Sequence, residues 1–113
     1  MEDDLVLGGR FARLAIRGRR SGTTRSVNVG FVDEPDRSIV VAAGAPDASW
    51  ALNLLDDPAC EVTIGDRTWS AHAELLDDDD PRRAQAVREL ILRYGTPSER
   101  LGSGPVFVIR RAG

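Results

Sequence analysis

The chain has 113 residues with 15 basic and 18 acidic side chains, for a formal net charge of -3, and every basic residue is arginine. The length is typical of one domain, and a hydrophobic fraction of 42% excludes wholesale disorder. The missing lysine excludes a lysine Schiff base and a Walker A lysine, and one cysteine with one histidine excludes an internal disulfide and a zinc site.

The residues predict a single cytoplasmic domain over 1–113. Residues 1–4 are acidic, whereas a secretory signal begins with basic residues. The longest apolar run, 39–43, is too short to cross a bilayer. We therefore expect no membrane span, and we interpret residues 1–10 as a short N-terminal extension.

Charge is segregated along the chain. Six arginines and no carboxylate lie between Leu5 and Val32, whereas residues 33–113 contain 15 acids and nine arginines. The small net charge therefore hides a local excess of six positive charges, which predicts contact with an anion.

Alternating apolar and polar residues predict strands at the start of the chain. Residues 11–18 and 25–32 both alternate, and the glycine-bounded segment 18–22 between them predicts a turn. The apolar run 39–43 predicts a third strand that is buried on both faces. The expected inward residues are Ala12, Leu14 and Ile16 in the first strand and Val27, Val29 and Phe31 in the second.

The middle of the chain predicts a helix followed by a hairpin. Asp47 is the expected N-cap of a short helix over 48–55. Residues 61–64 and 67–76 then form two strands around the turn Gly65-Asp66. The face of the second strand that we expect to be inward consists of Trp69, Ala71, Ala73 and Leu75.

The last third predicts a second helix and a final strand. Four consecutive acids end at Asp80, which is the expected N-cap before Pro81 at the first helical position. Gly95 is the expected C-cap, residues 95–104 form a loop, and 105–110 form a strand. The apolar stripe of the helix is expected to be Ala84, Val87, Ile91 and Tyr94.

The predicted order of elements is β-β-β-α-β-β-α-β. Six short strands with hairpin connections and only two helices indicate a mainly β fold, a closed or partly closed antiparallel barrel. Gly102-Ser103-Gly104 leads into a strand and not a helix, which excludes a Rossmann phosphate loop.

The most informative motif is the segment 17–25. Its glycines allow a tight turn whose N–H groups can converge on an anion, and its arginines and hydroxyls add donors suited to phosphate or carboxylate. The alternative is a solvated hairpin turn. The candidate binding residues are Arg17, Arg19, Arg20, Ser21, Gly22 and Arg25.

Two further clusters follow along the chain. Ala43, Gly44 and Ala45 form a small-residue loop, either a plain connection or a place where a flat ring can lie close to the backbone. Trp50 and Asn53 are spaced i, i+3 on the first helix, where Trp50 is an expected core anchor and Asn53 can orient a loop or a ligand.

Together these clusters resemble the deazaflavin-dependent nitroreductase family of actinobacteria. The resemblance covers residues 11–110 and depends on three motifs: Gly18-Arg19-Arg20-Ser21-Gly22 with Arg25 three residues on, Trp50-Ala51-Leu52-Asn53-Leu54, and Asp57-Pro58. It implies a six-stranded antiparallel split β-barrel related to the flavin-binding pyridoxamine-phosphate oxidases. It also implies a homodimer.

The resemblance further implies a coenzyme, 8-hydroxy-5-deazaflavin (factor 420), with FMN as the alternative. Arg19, Arg20, Ser21, Gly22 and Arg25 would bind its phosphate and acidic tail. The small-residue loop would approach the ring, and Trp50 and Asn53 would fix the helix that closes the site. The implied reaction is hydride transfer between the reduced coenzyme and a small hydrophobic or electron-poor substrate, and Tyr94 and bound water are the candidate proton donors.

Two other functions stay open at this point. One is a non-catalytic binding protein of the same fold for a flavin, haem or lipid. The other is a barrel that binds single-stranded nucleic acid, against which stand a pI near 5.1 and only six aromatic residues. We therefore expect a small-molecule partner and no nucleic acid.

Overall fold

The chain forms one antiparallel sheet with two helices in the computed structural model, which describes residues 8–94 and 104–112. Within these residues the strands are β1 (Ala12–Arg17), β2 (Thr24–Val29), β3 (Val32–Asp33), β4 (Ile39–Ala42), β5 (Ala59–Ile64), β6 (Arg67–Leu75) and β7 (Val106–Arg111). The helices are α1 (Ser49–Asp56) and α2 (Pro81–Tyr94).

The order of strands in the sheet is β2-β1-β5-β6-β7-β4-β3, so β2 and β3 are its two edges. These edge strands are also neighbours in the chain, joined only by Gly30 and Phe31. A link of two residues spans only a short distance, so the sheet must curl until its edges approach each other. The result is a barrel split between β2 and β3, which confirms the predicted mainly β antiparallel barrel.

The described residues contain seven strands where six were predicted, because the expected strand 25–32 is divided at Gly30. The ring of Tyr94 lies where a side chain at Gly30 would be, since a Cβ there would come within 2.8 Å of it. The N–H of Phe31 donates to the Tyr94 hydroxyl at 3.0 Å and not to a neighbouring strand. The chain therefore bends at this point and begins β3.

The interior of the barrel is formed by the alternating apolar residues of its strands. Ala12, Leu14 and Ile16 are buried as predicted, and so are Val29 and Phe31, while Val27 is half-buried. Removing these side chains from water supplies the main driving force for folding. On the other side of the sheet, a second cluster packs under α2, which explains why β4 and β7 are apolar on both faces. Its buried members are Val40, Leu76, Ala86, Val106 and Val108.

Two predictions about the helix and strand ends are wrong in detail. Asp47 does not cap α1, because the helix begins at Ser49 after Ala48 and has no side-chain cap. Leu75 is 48% exposed, and Leu76 is the buried residue at the end of β6.

In α2 the buried residues are Ala86 and Leu90, whereas Ala84 is exposed. Val87, Ile91 and Tyr94 are half-buried, so the apolar face is rotated from the predicted stripe. Asp80 caps this helix as expected, since its Oδ1 accepts from the Arg82 N–H at 2.9 Å. Gly95 and the loop 95–103 lie outside the described residues.

No helix in the described part of the chain has the length and apolar character needed to cross a membrane.

Candidate functional site

The segment between β1 and β2 folds into a closed turn. The Gly18 N–H donates to the Thr23 carbonyl at 2.9 Å, and the Gly22 N–H donates to the Gly18 carbonyl at 2.9 Å. Gly22 has φ +71°, a left-handed conformation that favours glycine. The Ser21 hydroxyl accepts from the Thr23 N–H at 3.1 Å. We call residues 17–22 the arginine turn.

The arginine turn is attached to α1 through one side chain. Asn53 Oδ1 accepts from the backbone N–H of Arg19 at 3.1 Å and from its guanidinium Nη1 at 2.7 Å. The same Nη1 lies 3.4 Å from the carbonyl oxygen of Ser49, one helical turn before Asn53. Two motifs that are 34 residues apart in the sequence therefore meet, and Arg19 is fixed by neutral acceptors that leave its charge uncompensated.

A groove connects the arginine turn to Trp50. One part of it, about 210 Å³, is lined by residues 18–21 of the arginine turn together with Arg25, Ser49 and Asn53. The adjoining part, about 290 Å³, shares those last three residues and extends along β2 and α1. Its other lining residues are Ile16, Ser26, Val27 and Trp50. We call the two parts together the α1 groove; it is polar at the arginine turn and apolar at Trp50.

The electrostatic character of the α1 groove is positive at one end. Arg17, Arg20 and Arg25 are exposed, and among the described residues no ion pair involves them or Arg19. Asp56 and Asp57 line an adjoining cavity of about 470 Å³ together with the arginine turn, and Arg17 and Gly22 line this cavity and not the α1 groove. Asp57 accepts from the Ala59 N–H at 3.2 Å. The arginines therefore have free capacity for an anion on the groove side.

Trp50 joins the groove to the core. Its indole is half-buried, and its ring centroid lies 6.1 Å from that of Phe107 inside the barrel. The ring therefore forms a rigid apolar wall at this end of the groove.

The small-residue loop is placed differently from the other predicted site residues. Ala43 is fully buried, and its N–H donates to the Pro105 carbonyl at 2.9 Å. Gly44 is exposed and Ala45 half-buried, but neither lines the α1 groove. Ala43 therefore has no exposed surface with which to contact a ring in the single chain.

Tyr94 also lies apart from the groove. Its hydroxyl donates to the Arg10 carbonyl at 2.7 Å and accepts from the Phe31 N–H. Its ring packs at 5.0 Å from that of Phe11. The hydroxyl is thus engaged in holding the C-terminal end of α2, and the structure does not bring Tyr94 to the groove as a proton donor.

Five groove residues were not predicted as site residues: Ile16, Gly18, Ser26, Val27 and Ser49. Ser49 is spaced i, i+4 from Asn53, so helical spacing could have indicated it. Ile16 and Val27 were identified only as inward residues of their strands, and no sequence signal separates groove positions from core positions.

Cys60 does not take part in the site. It is buried in the core cluster, and burial raises the pKa of its thiol to about 11. The negative charge of Asp57 acts in the same direction. A thiol with such a pKa is unreactive at neutral pH.

Residues 4–110 match a family model described as F420H(2)-dependent quinone reductase. No curated protein sequence matches the chain significantly.

The solved structures that resemble the fold include a storage protein, a reductase and a domain-swapped dimer. The heme storage protein HutZ from Vibrio cholerae has a TM-score of 0.76 at 17% identity, covering 98% of this chain and 87% of its own. An F420-H2 dependent reductase has a TM-score of 0.74 at 23% identity, covering 89% and 94%. A structure described as a domain-swapped dimer has a TM-score of 0.73 at 20% identity, covering 96% and 92%. Identities this low show the split-barrel fold alone.

Proposed function

The chain belongs to the F420H(2)-dependent quinone reductase family, and we propose that it transfers a hydride between the reduced deazaflavin coenzyme and a small electron-poor organic acceptor. This membership confirms the expected deazaflavin-dependent family. The observation that supports the proposed site most directly is the pair of hydrogen bonds between Asn53 and Arg19, because it joins the arginine turn to the helix that lines the α1 groove.

The described residues fit such a coenzyme chemically. Arg19, Arg20 and Arg25 present planar donors suited to a phosphate and an acidic tail, and Ser21 adds a hydroxyl. The apolar end of the α1 groove, at Trp50 and Val27, suits the edge of a planar ring system. We therefore assign the phosphate to the arginine turn and the ring to the end of the groove near Trp50.

When bound, the coenzyme supplies two electrons and a proton as a hydride, and a quinone acceptor becomes a hydroquinone by taking one further proton. The protein contributes binding and orientation. The positive charge of Arg19 has a fixed position in the groove, because Asn53 accepts hydrogen bonds from both its backbone N–H and its guanidinium. The described residues lining the apolar end of the groove include no histidine and no carboxylic acid, so the further proton comes from water in this scheme.

That same lining favours one alternative, a protein that binds the coenzyme or a related flat ligand without turnover. A groove that lacks a general acid can bind a planar ring without catalysing any reaction of it. HutZ, which shares the fold, is described as a storage protein. Turnover with a panel of quinones and nitroaromatics separates the two functions, since a binding protein takes up the coenzyme and reduces none of them.

We test coenzyme binding by titrating the purified protein with the deazaflavin and following its fluorescence. Arg19→Ala should weaken binding roughly tenfold or more, since a hydrogen bond to a charged group contributes about 1.5–3 kcal/mol. The loss should be larger at low salt than at high salt, because salt screens an exposed charge. Asn53→Ala should weaken binding by a smaller factor, since Arg19 keeps its charge but loses its anchor.

Arg88→Ala is the matched control, because Arg88 is exposed on α2 and lines neither part of the groove. Its affinity should stay close to that of the unmodified chain. Absence of saturable binding, or equal losses in Arg19→Ala and Arg88→Ala, would reject the site.

We also propose that the chain is a homodimer, in keeping with the family resemblance and with the fold's occurrence in a domain-swapped dimer. The expected mass in solution by light scattering is twice the 12.3 kDa of one chain. A mass of one chain across the concentration range of the coenzyme titration would contradict this.

A further inference from the structure

We propose that the end of the barrel opposite the arginine turn is a second binding site, for an organic anion with an apolar or aromatic body. A cavity of about 540 Å³ opens there and shares no lining residue with the α1 groove. The proposal does not depend on the proposed function. We call this cavity the barrel mouth.

The strand register places the barrel mouth at the far end of the sheet. In the antiparallel pair of β1 and β5, Arg13 is opposite Thr63 and Ile16 is opposite Cys60. The arginine turn follows the C-terminal end of β1, beside the start of β5. The barrel mouth includes Ile64, at the end of β5, so the two sites lie at opposite ends of these strands.

Four arginines from separate elements converge on the barrel mouth. Side chains alternate between the two faces of a strand, and Arg67 and Arg111 fall on the same face as the inward residues of β6 and β7. Because Arg67 begins β6 and Arg111 ends β7, both lie at the rim of the barrel interior. Arg37 lies in the turn between β3 and β4, and Arg93 lies in the last turn of α2. Arg37 has φ +71°, an unfavourable backbone conformation for a residue with a side chain.

Two of these guanidinium groups are held over aromatic rings. The Arg111 guanidinium carbon lies 4.5 Å from the ring centroid of Trp69, and that of Arg93 lies 4.8 Å from the ring centroid of Phe31. Stacking uses the flat face of a guanidinium and leaves the N–H groups at its edge for an anion. The rings therefore orient these donors in advance, which lowers the entropy lost when a ligand binds.

The charges in the barrel mouth are not neutralised by its own acids. Asp33 and Glu34 also line the cavity, giving four positive and two negative side chains. Within the described residues, no ion pair links any of the four arginines to a carboxylate. The arginines thus stay available to a ligand although two carboxylates are near.

The size and lining of the cavity indicate an organic ligand and not a simple ion. Its volume is in the range of pockets that hold small organic molecules. Ile39 and Ile64 add apolar surface beside the aromatic rings. A carboxylate or phosphate group on such a ligand would pair with the arginines, while the apolar part of the ligand would contact the isoleucines and the aromatic rings.

The experiment uses 2-naphthoate as the probe, with uncharged 2-naphthalenemethanol and acetate as controls for the ring and the charge alone. The ¹⁵N-labelled full chain is titrated, and the indole N–H signals of Trp69 and Trp50 are followed by NMR, with Trp69→Phe assigning them. Naphthoate should shift the Trp69 signal saturably and leave Trp50 nearly unchanged. Both controls should bind more weakly.

The double variant Arg67→Gln with Arg111→Gln should bind naphthoate roughly tenfold more weakly or worse, as expected for lost charge-assisted bonds. Arg88→Gln should stay within about twofold, because Arg88 lies outside the cavity and surface charges contribute little.

Several results would overturn the site: equal affinity for the uncharged alcohol, an equal shift at Trp50, an unchanged double variant, or no saturation. The comparison of naphthoate with the alcohol needs no variant, so it decides the question even where the double variant does not fold.

Discussion

The hydroxyl of Tyr94, a candidate proton donor in the sequence, has a structural role in the folded chain. It donates to the Arg10 carbonyl and accepts from the Phe31 N–H, so both of its roles in hydrogen bonding are filled. The ring meanwhile occupies the space that Gly30 leaves open. A proton donor needs access to substrate, and this hydroxyl instead connects α2 to the split edge of the barrel.

Replacing Tyr94 with phenylalanine should therefore lower the free energy of unfolding and spare coenzyme binding. The loss should be about 1–3 kcal/mol, because the buried Phe31 N–H is left without its partner while the ring remains. Urea unfolding measures the stability, and the fluorescence titration measures the affinity of the same variant. An unchanged stability with a large loss of affinity would assign Tyr94 to the binding site instead.

Residue chemistry predicted one part of the candidate site better than the others. The pattern of glycine and arginine in the turn is a local signal, and the turn is present with free donors. The link between Arg19 and Asn53 could not be predicted, since it depends on how α1 packs beside β1. The placement of Ala43 could not be predicted either, because a small-residue loop is compatible with both a ring site and tight backbone packing.

At the scale of elements, the loop after β4 is held by the chain that enters β7. Ala43 and Ala45 face Gly104, where a Cβ would collide with the Ala43 carbonyl oxygen and lie 2.8 Å from that of Ala45. The carbonyl of Gly104 in turn accepts from the Arg83 guanidinium at 2.8 Å. Gly104, noted in the sequence as part of a glycine-rich fragment, thus has a packing role and not a phosphate-binding one.

Gly104→Ala should destabilise the protein by about 2 kcal/mol or more, since two backbone segments must move apart to admit the methyl group. Gly44→Ala is the matched control in the same loop, because a Cβ there meets nothing within 4 Å. Its free energy of unfolding should change by less than about 1 kcal/mol. Similar losses in the two variants, measured by urea unfolding, would contradict this packing.

Elements were predicted well where periodicity is strong and less well at their ends. Strand alternation in β1 and the hairpin at Gly65 follow from local pattern alone, and both are present. The break at Gly30 and the rotation of the buried face of α2 could not be predicted, because both depend on contacts with Tyr94 and with the outer face of the sheet. At both places tertiary packing, and not the local sequence pattern, determines the structure.

At the scale of the whole molecule, the arginines separate into groups with different tasks. One group surrounds the arginine turn, and another rims the barrel mouth at the opposite end. Others join elements: Arg110 on β7 pairs with Asp36 at 2.8 Å and with Glu74 on β6 at 3.2 Å. The arginine-rich segment 5–32 therefore supplies the arginine turn, whereas arginines of residues 33–113 supply the barrel mouth and the structural pairs.

The hydrogen bonds and ion pairs of Asp36 and Asp80 make the free energy of unfolding of the chain depend on pH. Bonds from the hydroxyl and N–H of Ser38, followed by Arg110, lower the pKa of Asp36 below its ordinary value of 3.8. Bonds from the side chain and N–H of Arg82 lower the pKa of Asp80 in the same way. As the pH falls, these carboxylates bind protons in the unfolded chain before they do so in the folded chain. Their contribution to the free energy of unfolding is therefore complete above pH 3.8 and is lost as the pH falls through their lower pKa values in the folded chain.

We therefore expect the free energy of unfolding to fall as the pH decreases below 3.8, and to fall less steeply in Asp36→Asn and Asp80→Asn. Asn can still cap α2, so the second variant should fold. Asp79→Asn removes the same charge from the adjacent exposed position and should keep the slope of the unmodified chain. Urea unfolding at a series of pH values measures the slopes, and equal slopes in all four proteins would show that these two carboxylates do not control acid stability.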